Sequence, residues 1–146
     1  MELLKQLRIA GLRTESNNLQ AACFLKRKLL FSTYMIKKFQ VYFLNEAIDF
    51  MESLDVKTRE KIYYNARKAQ VVNDPELFKK LNDLIWEFRT KYNKNYFRLL
   101  AFWDKTESDQ TLVLATHGFV KTTRKVPESQ IKRAEEIRKK YFEQKK

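Results

Sequence analysis

Residues 84–104 constrain the fold most tightly, because their polarity pattern changes on either side of one short polar turn. From 84 to 92, apolar side chains (Leu84, Trp86, Phe88 and Tyr92) alternate with charged ones (Glu87, Arg89 and Lys91). This alternation predicts a half-buried strand. After Asn93-Lys94, residues 95–104 are apolar at most positions, which is typical of a strand in mid-sheet. The two strands and their turn predict a β-hairpin.

The residues before the hairpin predict one strand and three helices. Residues 36–44 are rich in aromatic side chains and predict a strand, after which Asn45 can cap a helix that begins at Glu46. Asp55 is a second candidate cap, for a helix over 56–72. Asp74-Pro75-Glu76 predicts a short third helix that ends near residue 81.

The residues after the hairpin predict one more strand and a final helix. Residues 111–120 complete an antiparallel meander, with Gly118 placed to permit a bulge or bend. Pro127 and Glu128 begin a helix whose apolar face contains Ile131, Ala134, Ile137 and Tyr141. The predicted fold is therefore α+β, in the order β-α-α-β-β-β-α when the short helix after Asp74 is left out.

Composition limits the class of protein. With 146 residues, two glycines and two prolines, the chain has the length of one domain and few linkers. A single cysteine and a single histidine exclude an intrachain disulfide and a structural zinc site of Cys/His type, so we expect no metal and no cofactor. No apolar run approaches the roughly 20 residues of a membrane-spanning helix, and no secretion signal is evident. We therefore expect a cytoplasmic protein without a membrane partner.

Residues 1–34 have no clear periodicity, whereas Met35-Ile36-Lys37-Lys38 directly precedes the first predicted strand. We interpret residues 1–34 as an N-terminal extension and residues 35–146 as the folded domain.

The net charge of +12 is concentrated near the C-terminus, where residues 111–146 contain ten basic and four acidic side chains. An excess of this kind favours a polyanionic partner, with nucleic acid first and an acidic membrane surface second.

Arg89 and Arg98 are predicted to face each other across the hairpin. Like charges in that position are unfavourable unless an anion lies between them. Glu87, on the same face, is one such anion, and a phosphate is another. These residues alone leave open a structural ion-pair network and a phosphate site.

A second polar group follows the third strand of the meander and contains His117, Lys121, Arg124 and Lys125. An imidazole beside cations can transfer protons during RNA cleavage. The alternative is a hydrogen-bonding surface histidine next to a solvated basic loop. Trp86 and Trp103 can stack bases, but the alternation around Trp86 favours a place in the core.

Four motifs occur in a fixed order along the chain. They are residues 85–89 (IWEFR), residues 96–102 (YFRLLAF), residues 115–121 (ATHGFVK), and residues 125–127 (KVP) followed by Ile131 and Ala134. Together they resemble the phage-derived, HigB-like toxins of the RelE/ParE superfamily, and the resemblance spans about residues 35–141.

The resemblance implies a small RelE-like toxin of a type II toxin–antitoxin system, which cleaves mRNA on the ribosome and is silenced by a helix-turn-helix (HigA-like) antitoxin. It implies that Arg98 contacts phosphate, that Arg89 and Lys121 belong to the site, and that Glu87 or His117 is the base. This chain has Thr122 where the family often has a second lysine. Further contacts to ribosomal RNA are expected from basic residues near the C-terminus: Arg124, Lys125, Lys132, Lys139 and Lys140.

Two other functions remain open. One is a ParE-like toxin that inhibits DNA gyrase by protein contact and is not an enzyme. The other is a basic nucleic-acid-binding module. The phosphate-contacting position of Arg98 favours the ribonuclease over the gyrase inhibitor.

Overall fold

The predicted hairpin forms the centre of a five-stranded sheet in the computed structural model, which describes residues 36–107 and 111–146. The elements are β1 (Gln40–Phe43), α1 (Asn45–Glu52), α2 (Val56–Ala69), β2 (Phe78–Lys80), β3 (Trp86–Tyr92), β4 (Asn95–Asp104), β5 (Leu112–Val120) and α3 (Glu128–Lys145). The α+β class is confirmed. The expected extension of residues 1–34 lies outside the described residues.

The strands follow the spatial order β1-β5-β4-β3-β2. Strands β2 to β5 form the antiparallel meander, whereas β1 pairs in parallel with β5 through the register Gln40 to Leu112 and Phe43 to Ala115. A parallel neighbour requires a crossover connection, and α1, α2 and the meander supply it.

The hairpin turn has the geometry that its two residues predict. Asn93 and Lys94 both have positive φ angles, of 46° and 64°, as a type I′ turn requires. Its twist matches that of the flanking strands and fixes the register between β3 and β4. Arg89 is directly opposite Arg98 in that register, as predicted.

The predicted helix from Asp74 to Leu81 is wrong. The Asp74 side chain accepts a hydrogen bond from the Glu76 amide at 2.9 Å, and the chain makes a single turn before it enters β2. The ring of Phe78 lies 4.4 Å from that of Phe88 and 4.9 Å from that of Trp86 (centroid distances). Packing between strands therefore overrides a local helix-start signal that also suits a turn.

The bulge or bend expected at Gly118 is a bulge two residues before it. The register between β4 and β5 shifts between Leu100 and Ala101, so Thr116 is the extra residue, and Gly118 itself pairs with Leu99. A Cβ atom at Gly118 would overlap the Phe50 ring of α1 and the Leu99 side chain. Gly118 thus permits close packing of a helix on the sheet.

The helix caps follow the predictions in part. Asp55 caps α2 by accepting a hydrogen bond from the Thr58 amide at 3.0 Å. Helix α1 begins after Leu44 without a side-chain cap, so the predicted capping role of Asn45 is wrong. The Arg59 guanidinium donates to three carbonyl groups at the end of α1 and so satisfies groups that have no partner within the helix.

The two sheet faces carry separate cores. Helices α1 and α2 cover one face through Ala47, Met51, Ile62, Ala66 and Ala69. Helix α3 covers the other face, with Ala134 buried against a cluster that contains Leu100, Phe102 and Leu114. Ile131 and Tyr141 pack there as predicted, and Phe142 joins them. Each fully buried aliphatic or aromatic side chain contributes roughly 1.5–3 kcal/mol.

None of the helices in the described part of the chain is both long and apolar enough to cross a membrane.

Candidate active site

The candidate site lies on the α3 face of the sheet, close to the hairpin turn. Strand alternation places Glu87, Arg89 and Arg98 on the same face as Leu100, which packs against α3 further along the strand. The three polar residues therefore continue the surface on which α3 lies.

Glu87 sits between the two arginines. Its Oε2 lies 3.2 Å from Nε of Arg98, and its Oε1 lies 3.6 Å from Nε of Arg89. The side chains of Arg98 and Glu87 are only 4% and 6% exposed, whereas that of Arg89 is 24% exposed. Arg89 is thus the accessible member of the group.

These contacts bring opposite charges together without hydrogen-bond geometry. Within residues 36–107 and 111–146, four buried side-chain polar atoms lack a hydrogen-bond partner, and three of them are Glu87 Oε2, Arg89 Nε and Arg98 Nε. Buried polar groups in proteins are nearly always hydrogen-bonded, so such a concentration sets this cluster apart from the rest of the described sheet.

The three clustered side chains also carry more positive than negative charge. Two guanidinium groups share one buried carboxylate. Burial lowers the pKa of Arg98 below its ordinary value, and the charge of Arg89 acts in the same direction, against the attraction of Glu87. A guanidinium nevertheless stays protonated at any pH of interest, so the two arginines together carry one more charge than Glu87 can balance.

The turn before β2 forms the outer side of the cluster. Nη1 of Arg89 donates to the Pro75 carbonyl oxygen at 3.3 Å and lies 3.6 Å from a carboxylate oxygen of Glu76. The Glu76 side chain is exposed. Arg89 is therefore held near the surface, where an incoming anion meets it first.

Lys121 lies at the rim, just past the end of β5. Its amide donates to the Tyr96 carbonyl at 2.7 Å, and its Nζ donates to the Arg124 carbonyl at 2.7 Å. Tyr96 precedes Arg98 by two residues on the same face, and Phe119 is directly opposite Arg98. The structure thus brings Lys121 close to the strand that carries Arg98.

His117 is on the same face but is enclosed. Its Nδ1 lies 3.0 Å from Oγ1 of Thr116, and its Nε2 lies 2.7 Å from Oε1 of Gln130 in the first turn of α3. Burial lowers the pKa of His117 below its ordinary value, and nearby Arg133 adds to that effect. Both ring nitrogens are occupied, so the imidazole links β5 to α3 and has no free position toward Glu87.

The other predicted RNA contacts lie outside the cluster and are exposed. Arg124 and Lys125 are in the loop after β5. Lys132, Lys139 and Lys140 are on α3, where Lys132 pairs with Glu128 at 3.9 Å.

Two residues that the sequence reasoning missed border the arginines. Tyr96 is 43% exposed, and Nζ of Lys91, opposite it across the hairpin, lies 5.4 Å from the centre of its ring. The alternation that places Arg89 and Arg98 on one face also places Lys91 and Tyr96 there, so this signal was present in the sequence.

The described residues contain no group of three or more His, Cys, Asp or Glu side chains arranged to hold a metal ion. What the cluster offers chemically is two planar, bidentate cations beside one carboxylate. This arrangement suits a tetrahedral oxyanion such as phosphate.

Comparison with known proteins gives one finding. A family model described as "Phage derived protein Gp49-like (DUF891)" matches residues 49–139, which is more than half of the chain and includes Glu87, Arg89, Arg98, His117 and Lys121. A search of curated proteins finds no match.

Proposed function

The chain belongs to the Gp49-like family of phage-derived proteins, a family of RelE-type, toxin-like proteins, and from this premise we propose that it is a toxin that cleaves mRNA on the ribosome. The finer assignment, to the HigB-like toxins of type II toxin–antitoxin systems, is part of the proposal.

The observation that carries the proposal is the buried Glu87–Arg89–Arg98 cluster with its three atoms that lack hydrogen-bond partners. A network built only for stability would have these donors and acceptors paired, because an unpaired buried polar group costs about 1–3 kcal/mol. A scissile phosphate that meets the cluster at the partly exposed Arg89 would give the two guanidinium groups a second anion besides Glu87.

In the proposed reaction the 2′-hydroxyl oxygen of a ribose attacks the adjacent 3′ phosphorus atom. The new P–O bond forms as the bond to the 5′ oxygen breaks, which leaves a 2′,3′-cyclic phosphate and, once the 5′ oxygen takes a proton from water, a 5′-hydroxyl end. Arg98 and Arg89 stabilise the negative charge that develops on the non-bridging oxygens. Lys121 adds a cation at the rim, near the end of β5.

The 2′ proton needs an acceptor, and we assign this role to Glu87. Its carboxylate lies between the two arginines that would hold the phosphate. His117 is the weaker candidate, since Thr116 and Gln130 already occupy both ring nitrogens. A pH–rate profile tests the assignment: an acidic limb should be present in the wild-type protein and absent from Glu87→Gln.

The partners that we propose follow from charge and from the family. The exposed cations of α3 and of the loop after β5 suit ribosomal RNA, which binds such surfaces through the release of counterions. The proposed inhibitor is a helix-turn-helix antitoxin, and a reading frame for such a protein should adjoin the gene.

Mapping of mRNA 5′ ends by primer extension after induction tests the proposal. Cuts at fixed positions within codons, which disappear when translation initiation is blocked, support ribosome-dependent cleavage. DNA damage signalling without cuts would instead identify a gyrase inhibitor. If neither cuts nor DNA damage signalling are seen, the remaining function is that of a nucleic-acid-binding module.

A further inference from the structure

A groove of about 490 Å³ lies at the end of the sheet away from the hairpin turn. It is lined by Lys80, Leu84, Trp86, Trp103, Lys105 and Arg138. These residues come from the end of β2, the loop after it, the start of β3, the end of β4 and the middle of α3. Trp86 points to the opposite face from Glu87 and Arg89, so this groove, the tryptophan groove, is separate from the cluster.

The two indole rings form an aromatic wall. Their centroids are 5.6 Å apart in an edge-to-face arrangement, and Phe78 stacks against Trp86 at 4.9 Å. Both tryptophans are only half-buried, so the assignment of Trp86 to the core is correct only in part. The Nε1 atom of Trp103 is the fourth buried atom without a hydrogen-bond partner among the described residues.

The charges at the groove are mostly positive. Lys80, Lys105 and Arg138 supply three cations, and Nζ of Lys105 lies 5.3 Å from the centre of the Trp103 ring. One acid, Asp83, also lines the groove and pairs with Lys80 at 3.1 Å, but its side chain is 98% exposed. The interaction energy of an exposed ion pair of this kind is small, so Lys80 remains available to an anionic ligand.

We infer that the tryptophan groove binds single-stranded RNA, with a base against the indole rings and backbone phosphates on Lys80, Lys105 and Arg138. Aromatic platforms flanked by cations bind single strands in this way, because every base has a π-face and every linkage carries a charge. This second RNA contact does not depend on cleavage at the cluster.

Fluorescence tests the inference directly, because the chain has two tryptophans and both line the groove. Titration of the full-length protein with a short oligoadenylate RNA should quench the indole emission saturably. Trp86→Phe and Trp103→Phe, which preserve aromatic packing, show which ring the base contacts. The same titration with an abasic oligomer of equal length should quench much less.

Charge variants test the phosphate contacts. The triple variant Lys80→Gln, Lys105→Gln and Arg138→Gln should weaken binding and lower the slope of log affinity against log salt by about 0.7 for each cation removed. The matched control is Lys57→Gln, Lys61→Gln and Lys68→Gln on α2, which removes the same charge and should change little. Thermal melts establish that each variant is folded.

The inference is wrong if RNA leaves the emission unchanged at low salt, if the abasic oligomer quenches equally, or if the α2 control weakens binding as much as the groove variant. Equal competition by polyglutamate would point to an acidic peptide as the ligand, which would also contradict the inference. Arg98→Lys should retain the quenching, so a failure of the proposed ribonuclease function is distinguishable from a failure here.

Discussion

Two buried carboxylates on neighbouring strands of this sheet have very different surroundings. Asp104, at the end of β4, accepts hydrogen bonds from the Thr106 amide at 2.9 Å and from Thr106 Oγ1, Tyr141 Oη and Lys145 Nζ, each at 2.7 Å. Glu87, on β3, has two guanidinium groups nearby but no hydrogen-bond partner for Oε2.

The difference separates a residue that holds the fold from residues that we propose act on RNA. Burial raises the pKa of Asp104, but the hydrogen bonds from Lys145, Thr106 and Tyr141 outweigh it and leave the pKa well below its ordinary value. Asp104 thus secures the end of α3 to the sheet. Around Glu87 the sheet tolerates unpaired groups, which proteins accept mainly where function requires it.

The largest effect is expected at the cluster. Arg98→Ala should lower the rate of mRNA cleavage by about two to three orders of magnitude, the scale on which removal of one transition-state donor acts. Single-turnover cleavage of ribosome-bound mRNA measures it.

Since Arg98→Ala leaves buried Glu87 with one cation, Arg98→Lys serves as the matched variant. It keeps the charge but not the bidentate geometry, and it should lose most of the same activity. If both variants fold and cleave at the wild-type rate, the cluster has only a structural role.

At the other carboxylate the loss should appear in stability. Asp104→Ala removes the buried acceptor of four hydrogen bonds, one of them from a charged amine, so the free energy of unfolding should fall by about 3 kcal/mol. Urea denaturation followed by circular dichroism measures this loss. A change below about 0.5 kcal/mol, the range of ordinary surface substitutions, would show that Asp104 does not secure α3.

A smaller effect is expected on the pH dependence of folding. Because the pKa of Asp104 is lower in the folded state, its contribution is complete above the unfolded value of about 3.9 and is lost as the pH falls below it. The difference in stability between wild type and Asp104→Asn should therefore shrink as the pH falls below about 4. A difference independent of pH would contradict this assignment.

The smallest effect on stability is expected on the exposed face of α3. Replacing both Lys139 and Lys140 with Gln should change the free energy of unfolding by less than about 0.5 kcal/mol while it weakens ribosome binding at moderate salt. Co-sedimentation with ribosomes over a salt series measures the second part. Unchanged binding at every salt concentration would remove these lysines from the proposed RNA contacts.

Local patterns predicted the hairpin and its charged face well. A two-residue polar turn between strands of opposite pattern fixes the register, and the register alone places Arg89 opposite Arg98. The pairing of Glu87 with both arginines followed from the same alternation.

Other features depend on contacts between distant segments. The stacking of Phe78 on Phe88 decides that residues 78–80 form a strand, although Asp74-Pro75 begins a turn that resembles a helix start. The enclosure of His117 depends on Gln130 in α3, thirteen residues away. Neither contact follows from the local spacing of apolar and polar residues, so no pattern in the surrounding sequence could reveal it.

Cleavage of ribosome-bound mRNA by Arg98→Lys and Asp104→Asn, compared at equal concentrations of folded protein, tests the central claim most directly. We predict that Arg98→Lys melts near the wild-type temperature but cleaves about a hundredfold more slowly, whereas Asp104→Asn melts at a lower temperature and cleaves at the wild-type rate. Normal cleavage by Arg98→Lys, together with a loss of cleavage in folded Asp104→Asn, would contradict the account.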